Sequence, residues 1–344
     1  MIEPIFELPG LFAQTSSPSS QLVLIQLLIQ GLTFGALFAL IALGYTMVYG
    51  IVELINFAHG DVFMMGMFFA LTVLAMLGLA GDGATTAKTS LIITGVVLIF
   101  LTVPIFTAGL NFGIDRLIYR PLRSAPKLAL IVSAIGVSFM LMNLGQLWNG
   151  LLPENGQSVQ AASVRSFPNL IPDRNLLPAI LGKDTQLRFS VKDAMILGIT
   201  IPMMILLTLF VKYSKTGKAM RATAQNPTAA RLMGINVDSV IGVTFAIGGA
   251  LAGVGSVMYA LYLNSTSFQI GFINGLYAFT AAVLGGIGNI PGAVLGALVI
   301  GMVRALGSAY VGEAWTSAMV FLALILILIF RPSGILGART REKV

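Results

Sequence analysis

The chain alternates long apolar runs with short polar joints. Ser317–Phe330 reads SAMVFLALILILIF, without the polar stripe of a helix that faces both a core and water. Similar runs recur, long enough to cross a hydrocarbon layer about 30 Å thick. The pattern predicts spans at Gln21–Val48, Phe57–Ala80, Leu91–Leu110, Leu128–Leu147, Asp193–Val211, Val240–Leu263, Phe272–Leu284, Gly292–Tyr310 and Thr316–Phe330. The seventh is short enough to be re-entrant. The expected fold is all-α, a polytopic membrane helix bundle of about 8–10 spans.

The joints repeat. Spans one to three and six to eight each open with a long Gly-rich helix, then a polar break, then a Gly-rich segment. The breaks are GIVELINFAHGD (Gly50–Asp61) and NSTSFQIGFING (Asn264–Gly275). The two triplets run in opposite directions. Inverted triplets with broken helices characterise transporters, with substrate handled near the pseudo-twofold interface. Gly31 with Gly35, Gly249 with Gly253, and Gly292 with Gly296 have the small-xxx-small spacing of closely packed membrane helices.

Composition removes other classes. Charged residues are 10% of the chain, too few to cover a soluble globule of 344 residues. There is no cysteine, hence no disulfide framework, thiolate metal site or cysteine nucleophile. The start lacks the positive region of a secretory leader, since Met1–Ser20 holds Glu3 and Glu7 and no Lys or Arg. The net charge of +7 does not indicate nucleic acid, because the basic residues are sorted by loop. The loops at 115–127 and 212–238 and the chain from Arg331 on carry thirteen basic residues against three acids; the opposite side has six against seven. Cytoplasmic loops collect Lys and Arg. The N-terminus is therefore expected in the periplasm and the C-terminus in the cytoplasm. The expected organisation is a periplasmic segment 1–20, one transmembrane domain 21–337 and a cytoplasmic tail 338–344. Within the domain, 149–192 is a periplasmic loop folding over the bundle mouth, and 212–238 is cytoplasmic.

Four features carry candidate chemistry. Asn56, His59, Gly60 and Asp61, with Glu53, interrupt an apolar stretch. Either a half-helix starts there and aims its free N–H groups into a substrate pathway, or these groups cap a helix at the cytoplasmic surface. With one His and no Cys a metal site is not expected, and Ser256 with His59 gives no hydrolase motif. Arg304 lies inside the eighth span, with Glu313 nine residues on; snorkelling is favoured over pairing with a neighbouring helix. In Thr216–Asn236, Asn226 suits an N-cap, Pro227 the first helical position and Gly234 the C′ position. This two-turn helix is either a docking knob for a soluble partner or a surface helix lying on the bundle. GGIGNIPG (Gly285–Gly292) reads as a tight inter-helix turn. No GxxxxGK[ST] occurs, so any ATP used is hydrolysed by another chain.

These segments resemble a known family. GYTMVYGIVELINFAHGDVFMMG (Gly44–Gly66) is similar to the signature of LivH-type permeases, subunits of branched-chain amino acid ABC importers. The resemblance continues through IDRLIYRPLRSAP (Ile114–Pro126), LIVSAIGVSFMLMN (Leu130–Asn143), GKAMRATAQNPTAARLMGIN (Gly217–Asn236), AFTAAVLGGIGNIPGAVLGALVIG (Ala278–Gly301) and RPSGILG (Arg331–Gly337). It implies an inner-membrane transport subunit without its own catalytic site or cofactor. It implies four kinds of partner: membrane lipid, a second permease subunit (paralogue or self), two cytoplasmic ATPases and a periplasmic substrate-binding protein. It implies that residues 217–236 hold a coupling helix for an ATPase, with Arg221, Asn226, Pro227, Ala230, Arg231 and Gly234 as the candidate contacts. Related subunits serve urea and short amides. A stand-alone carrier using His59, Glu53 and Asp61 is the alternative of another class.

Overall fold

The structure is a computed structural model that describes residues 20–52, 56–81, 87–152, 160–178, 186–331 and 333–337. Most of the expected 1–20 segment, Glu53 and the 338–344 tail lie outside the described residues. The helices are α1 (Ser20–Val52), α2 (His59–Met76), α3 (Thr89–Ile114), α4 (Lys127–Leu151), α5 (Val191–Tyr213), α6 (Lys215–Gln225), α7 (Pro227–Leu232), α8 (Val237–Leu263), α9 (Ile270–Gly285), α10 (Ile290–Tyr310) and α11 (Glu313–Phe330). Two two-residue strands, β1 (Arg165–Ser166) and β2 (Ser265–Thr266), pair antiparallel.

Eight of these helices are long and apolar enough to cross a membrane, and α9 is a shorter apolar helix. Each predicted span has its helix, so the polytopic bundle stands. The ends differ where polar residues continue a helix. α3 runs past Leu110 and closes in a π-helical turn, Asp115–Tyr119. Helix ends are fixed by local chemistry. Ser190 and Asp193 form a capping box at α5; Asn236 caps α8; Asn289 caps α10, with Pro291 in its first turn.

The short α9 crosses the bundle rather than turning back. It follows β2 at one end. At the other, Ile335 and Leu336 donate to the carbonyls of Leu284 and Gly285, and a Cβ on Gly50 would lie 2.9 Å from Gly288. Gly286 and Gly288 have positive φ (108° and 81°), which lets the chain reverse within the tight turn expected there.

Burial separates inner from outer helices. The spanning windows of α1, α2 and α8 are each 72% buried, against 11% for α11. The inner pairings follow the inverted repeat. The first helix of each triplet packs on the third of the other, α1 on α10 and α8 on α3. The middle helices, α2 and α9, cross each other. Glycine makes these approaches possible: a Cβ on Gly35 would lie 2.7 Å from Leu298 Cα, and one on Gly253 2.8 Å from Pro104 Cα.

The connection after α4 folds over one mouth of the bundle. Phe167, Leu170 and Ile171 are buried in the main core. Phe167 N–H donates to the Asn264 carbonyl at 2.8 Å, and Lys192 Nζ donates to Asn264 Oδ1 at 2.5 Å. The segments 153–159 and 179–185 of this connection lie outside the described residues.

Candidate functional site

The first candidate site surrounds the start of α2. His59 N–H donates to the Asn56 carbonyl (3.1 Å) and opens the helix, while Ala58 at the N-cap position provides no side-chain cap. Ala58, His59 and Asp61 are fully buried and Asn56 nearly so. These side chains are therefore shielded from water. The break lies inside the packed bundle.

Its neighbours come from the other inner helices. The His59 ring packs edge-on against Tyr45 of α1 at 4.7 Å between centroids. It occupies the space that a Cβ on Gly44 would need, beside the Gly248 carbonyl of α8. The Ile41 backbone lies on its ring side, yet neither ring nitrogen completes a hydrogen bond of ordinary geometry. Asp61 Oδ2 accepts from the Ser138 hydroxyl of α4, and Oδ1 has no partner. Gly60 lies backbone to backbone with α9: a Cβ there would meet the Gly271 carbonyl and fall 2.6 Å from Gly275 Cα. Nothing larger than hydrogen fits, so the crossing is closed in this conformation.

Asn56 is held from α3 and its closing π-turn. Tyr119 Oη donates to Asn56 Oδ1 at 2.8 Å, Asn56 Nδ2 donates to Asn111 Oδ1 at 3.4 Å, and Asn111 Nδ2 donates to the Phe245 carbonyl at 2.7 Å. Tyr45, Asn111, Tyr119 and Ser138 were not singled out in the sequence. Each is a common residue on an apolar helix, and only tertiary packing brings it to the break.

Chemically, the buried start of α2 combines two opposite attractions. The start of α2, where the His59 N–H meets the Asn56 carbonyl and the Gly60 backbone meets Tyr45, is the positive end of the helix dipole and favours an anion. The half-satisfied Asp61 carboxylate favours a cation or a hydrogen-bond donor.

The second candidate site is the 212–238 loop. α7 forms as the sequence predicts: the Asn226 side chain accepts from Ala229 N–H at 3.0 Å, Pro227 begins the helix and Gly234 has φ of 82°. Asn226, Pro227, Arg231 and Gly234 are exposed, while Ala230 is buried and anchors the helix. Arg221, also exposed, donates to the carbonyls of Val211 and Lys212 (3.0 Å for the latter), so it fastens α6 to the end of α5. The preceding helix α6, absent from the expectation, has a Ser214 cap. Leu232 and Met233 are 85% and 82% exposed, an apolar tip at the end of the helix that the sequence did not mark.

Arg304 departs from the snorkelling expectation. Its guanidinium stacks on Phe34 of α1 at 4.0 Å and comes within 3.8 Å of Glu313. The turn at Gly312 brings Glu313 back toward α10, which nine residues of continuous helix would not.

The family described as branched-chain amino acid transport system / permease component matches residues 27–329. The chain belongs to this family. Among curated relatives, the high-affinity branched-chain amino acid transport system permease protein BraD of Pseudomonas aeruginosa is 39% identical over 93% of this chain and 98% of its own length. LivH of Escherichia coli, under the same description, is 39% identical over 94% of this chain and 98% of its own length. A probable branched-chain amino acid transport permease protein, LivM of Methanocaldococcus jannaschii, is 28% identical over 35% of this chain and 39% of its own. The chain therefore covers nearly the full length of BraD and LivH, and the α2 break and α7 both lie within the family's matched residues.

Proposed function

We propose that this permease is the membrane-spanning subunit of a bacterial inner-membrane ABC importer that moves branched-chain or other neutral amino acids into the cell. The observation that carries this reading is the full-length relationship to BraD and LivH, 39% identical in each case. The chain has no phosphate-binding motif, so two ATPase subunits on other chains supply the energy. α7, with its buried Ala230 anchor and exposed Leu232 and Met233, suits seating in an ATPase groove. The partial match to LivM makes a paralogous second permease the favoured partner over a second copy. A periplasmic binding protein delivers substrate. The basic loops set the orientation, N-terminus periplasmic and C-terminus cytoplasmic.

In this reading the start of α2 is part of the pathway. A neutral amino acid carries a carboxylate and an ammonium. The positive dipole end of α2 suits the first and Asp61 the second, with His59 beside both. The closed α2–α9 crossing opens as the bundle switches the side it faces, the alternating access of inverted-repeat transporters.

The test is co-purification of the tagged permease in mild detergent, followed by titration of the matching binding protein with leucine, isoleucine, valine and urea. Two ATPase chains, a second permease and branched-chain selectivity are the expected result. Urea selectivity would move the substrate to short amides. A lone polypeptide that transports without ATP would overturn the importer reading and leave a stand-alone carrier using His59 and Asp61.

A further inference from the structure

α7 and the α2 break sit apart in sequence, yet a continuous line of short contacts joins them. It begins where α7 turns into α8. Gly234 N–H donates to the Arg231 carbonyl and Ile235 N–H to the Ala230 carbonyl, both at 3.0 Å, and the Asn236 side chain caps α8 at Ser239. α7 is thereby locked to the first turn of α8, which carries Asp238.

Asp238 meets two arginines from the loop after α3. Arg123 Nη1 lies 2.5 Å from Asp238 Oδ1, and Arg120 Nη2 lies 3.2 Å from Asp238 Oδ2. The other arm of the Arg123 fork lies 2.6 Å from Asp115 Oδ1. The Asp115 side chain is only 3% exposed and that of Arg123 17%. Charges so withdrawn from water are costly to separate, since breaking one pair strands the other partner. The fork bridges two carboxylates with directional, charge-assisted bonds, which make a stiff joint.

Asp115 opens the π-helical turn that ends at Tyr119, and Tyr119 holds Asn56. π-turns recur at functional sites in helices. An apolar cluster runs alongside: Ala230 of α7, Val237 and Phe245 of α8, Tyr119, and Ala58 and Val62 at the break are packed in one group.

We propose that Asp238, Arg123, Asp115 and Tyr119 form a mechanical link that transmits displacement of α7 to Asn56 and so sets the position of the α2 break. These are positioning residues; none is assigned to substrate or nucleotide. The link rests on the importer reading above, and it adds the route by which the ATPase cycle reaches the closed α2–α9 crossing. Arg120 strengthens the Asp238 end, and Asn111 continues the line back to the Phe245 carbonyl of α8.

The experiment uses the assembled importer in lipid nanodiscs. The chain has no cysteine, so Phe57→Cys places one thiol in it, next to Asn56. The rate of thiol modification at that position, read by mass on this chain, is compared with and without ATP and vanadate. ATP is expected to change the rate about fivefold or more, the lower range of ordinary coupling free energies. In Asp238→Asn and in Tyr119→Phe the change should shrink to less than about twofold. The double variant should respond no less than the weaker single, because a link already broken loses nothing at a second break. A merely structural role predicts losses that compound. Variants that keep the full ATP response, or losses that multiply in the double variant, overturn the link. If Asp238→Asn does not assemble, Tyr119→Phe, which removes one oxygen, decides alone. A parent with bound ATPases and no ATP response at position 57 also overturns the link while leaving the importer reading intact. Absence of ATPases from the purified complex overturns the importer reading itself.

Discussion

Gly275 shows how much one methyl group matters inside this bundle. A Cβ there would fall 2.7 Å from Gly60 Cα and 3.2 Å from the Tyr45 hydroxyl. Gly275→Ala should force α2 and α9 apart at a cost of about 1–3 kcal/mol. The expected outcome is a lower unfolding temperature of the purified complex together with reduced uptake; unchanged values for both would remove the close crossing. Asp61→Asn keeps an acceptor oxygen for Ser138 and removes the charge. It should leave assembly intact and lower leucine uptake in proteoliposomes by about tenfold or more, the worth of a hydrogen bond to a charged group. Uptake within twofold of the parent would take Asp61 out of the pathway. Part of this site was legible in the sequence. Polar residues in an apolar stretch announce themselves, so Asn56, His59 and Asp61, with Gly60 between them, stand out. Whether they met water or the interior depended on α1, α4, α8 and α9 closing around them, and no local spacing encodes that.

The helices are where the sequence speaks most clearly. Apolar length alone located every spanning helix, and Asn226–Pro227 with Gly234 announced α7 because caps are local chemistry. α6 was harder to read. Lys215–Gln225 is polar and short, and it is held by contacts made elsewhere, the Arg221 clasp on α5 and the buried Met220. The exposed tip of α7 gives the element-scale prediction. Replacing Leu232 and Met233 together with Ala removes apolar surface without touching the Asn226 cap or the Ala230 anchor. The permease should still insert and pair, while recovery of ATPase subunits in mild detergent should fall by about tenfold or more, given roughly 1.5–3 kcal/mol for each large apolar side chain buried at a contact. Full ATPase recovery would place the docking surface elsewhere.

At the scale of the molecule, sidedness is the property to measure. Ala162 and Thr228 are both exposed and belong to opposite ends of the bundle. Single cysteines placed there in turn give a clean reading with a membrane-impermeant maleimide. Position 162 should react in intact spheroplasts and position 228 only after permeabilisation; the reverse pattern would invert the orientation. The charge bias that suggests this sidedness is a statistical property of loops, legible without any structure, whereas the inverted repeat became concrete only in the exchange of partners, α1 with α10 and α8 with α3. The small β1–β2 clip adds a constraint in time. Arg165 pairs with Thr266, and at synthesis rates of about 5–20 residues per second its partner emerges roughly 5–20 s later. During that interval α5 and α8 must be inserted before β1 of the cap can meet β2. The later strand therefore closes a connection that left about a hundred residues before it, and a ribosome stalled before residue 266 would leave the mouth of the bundle open.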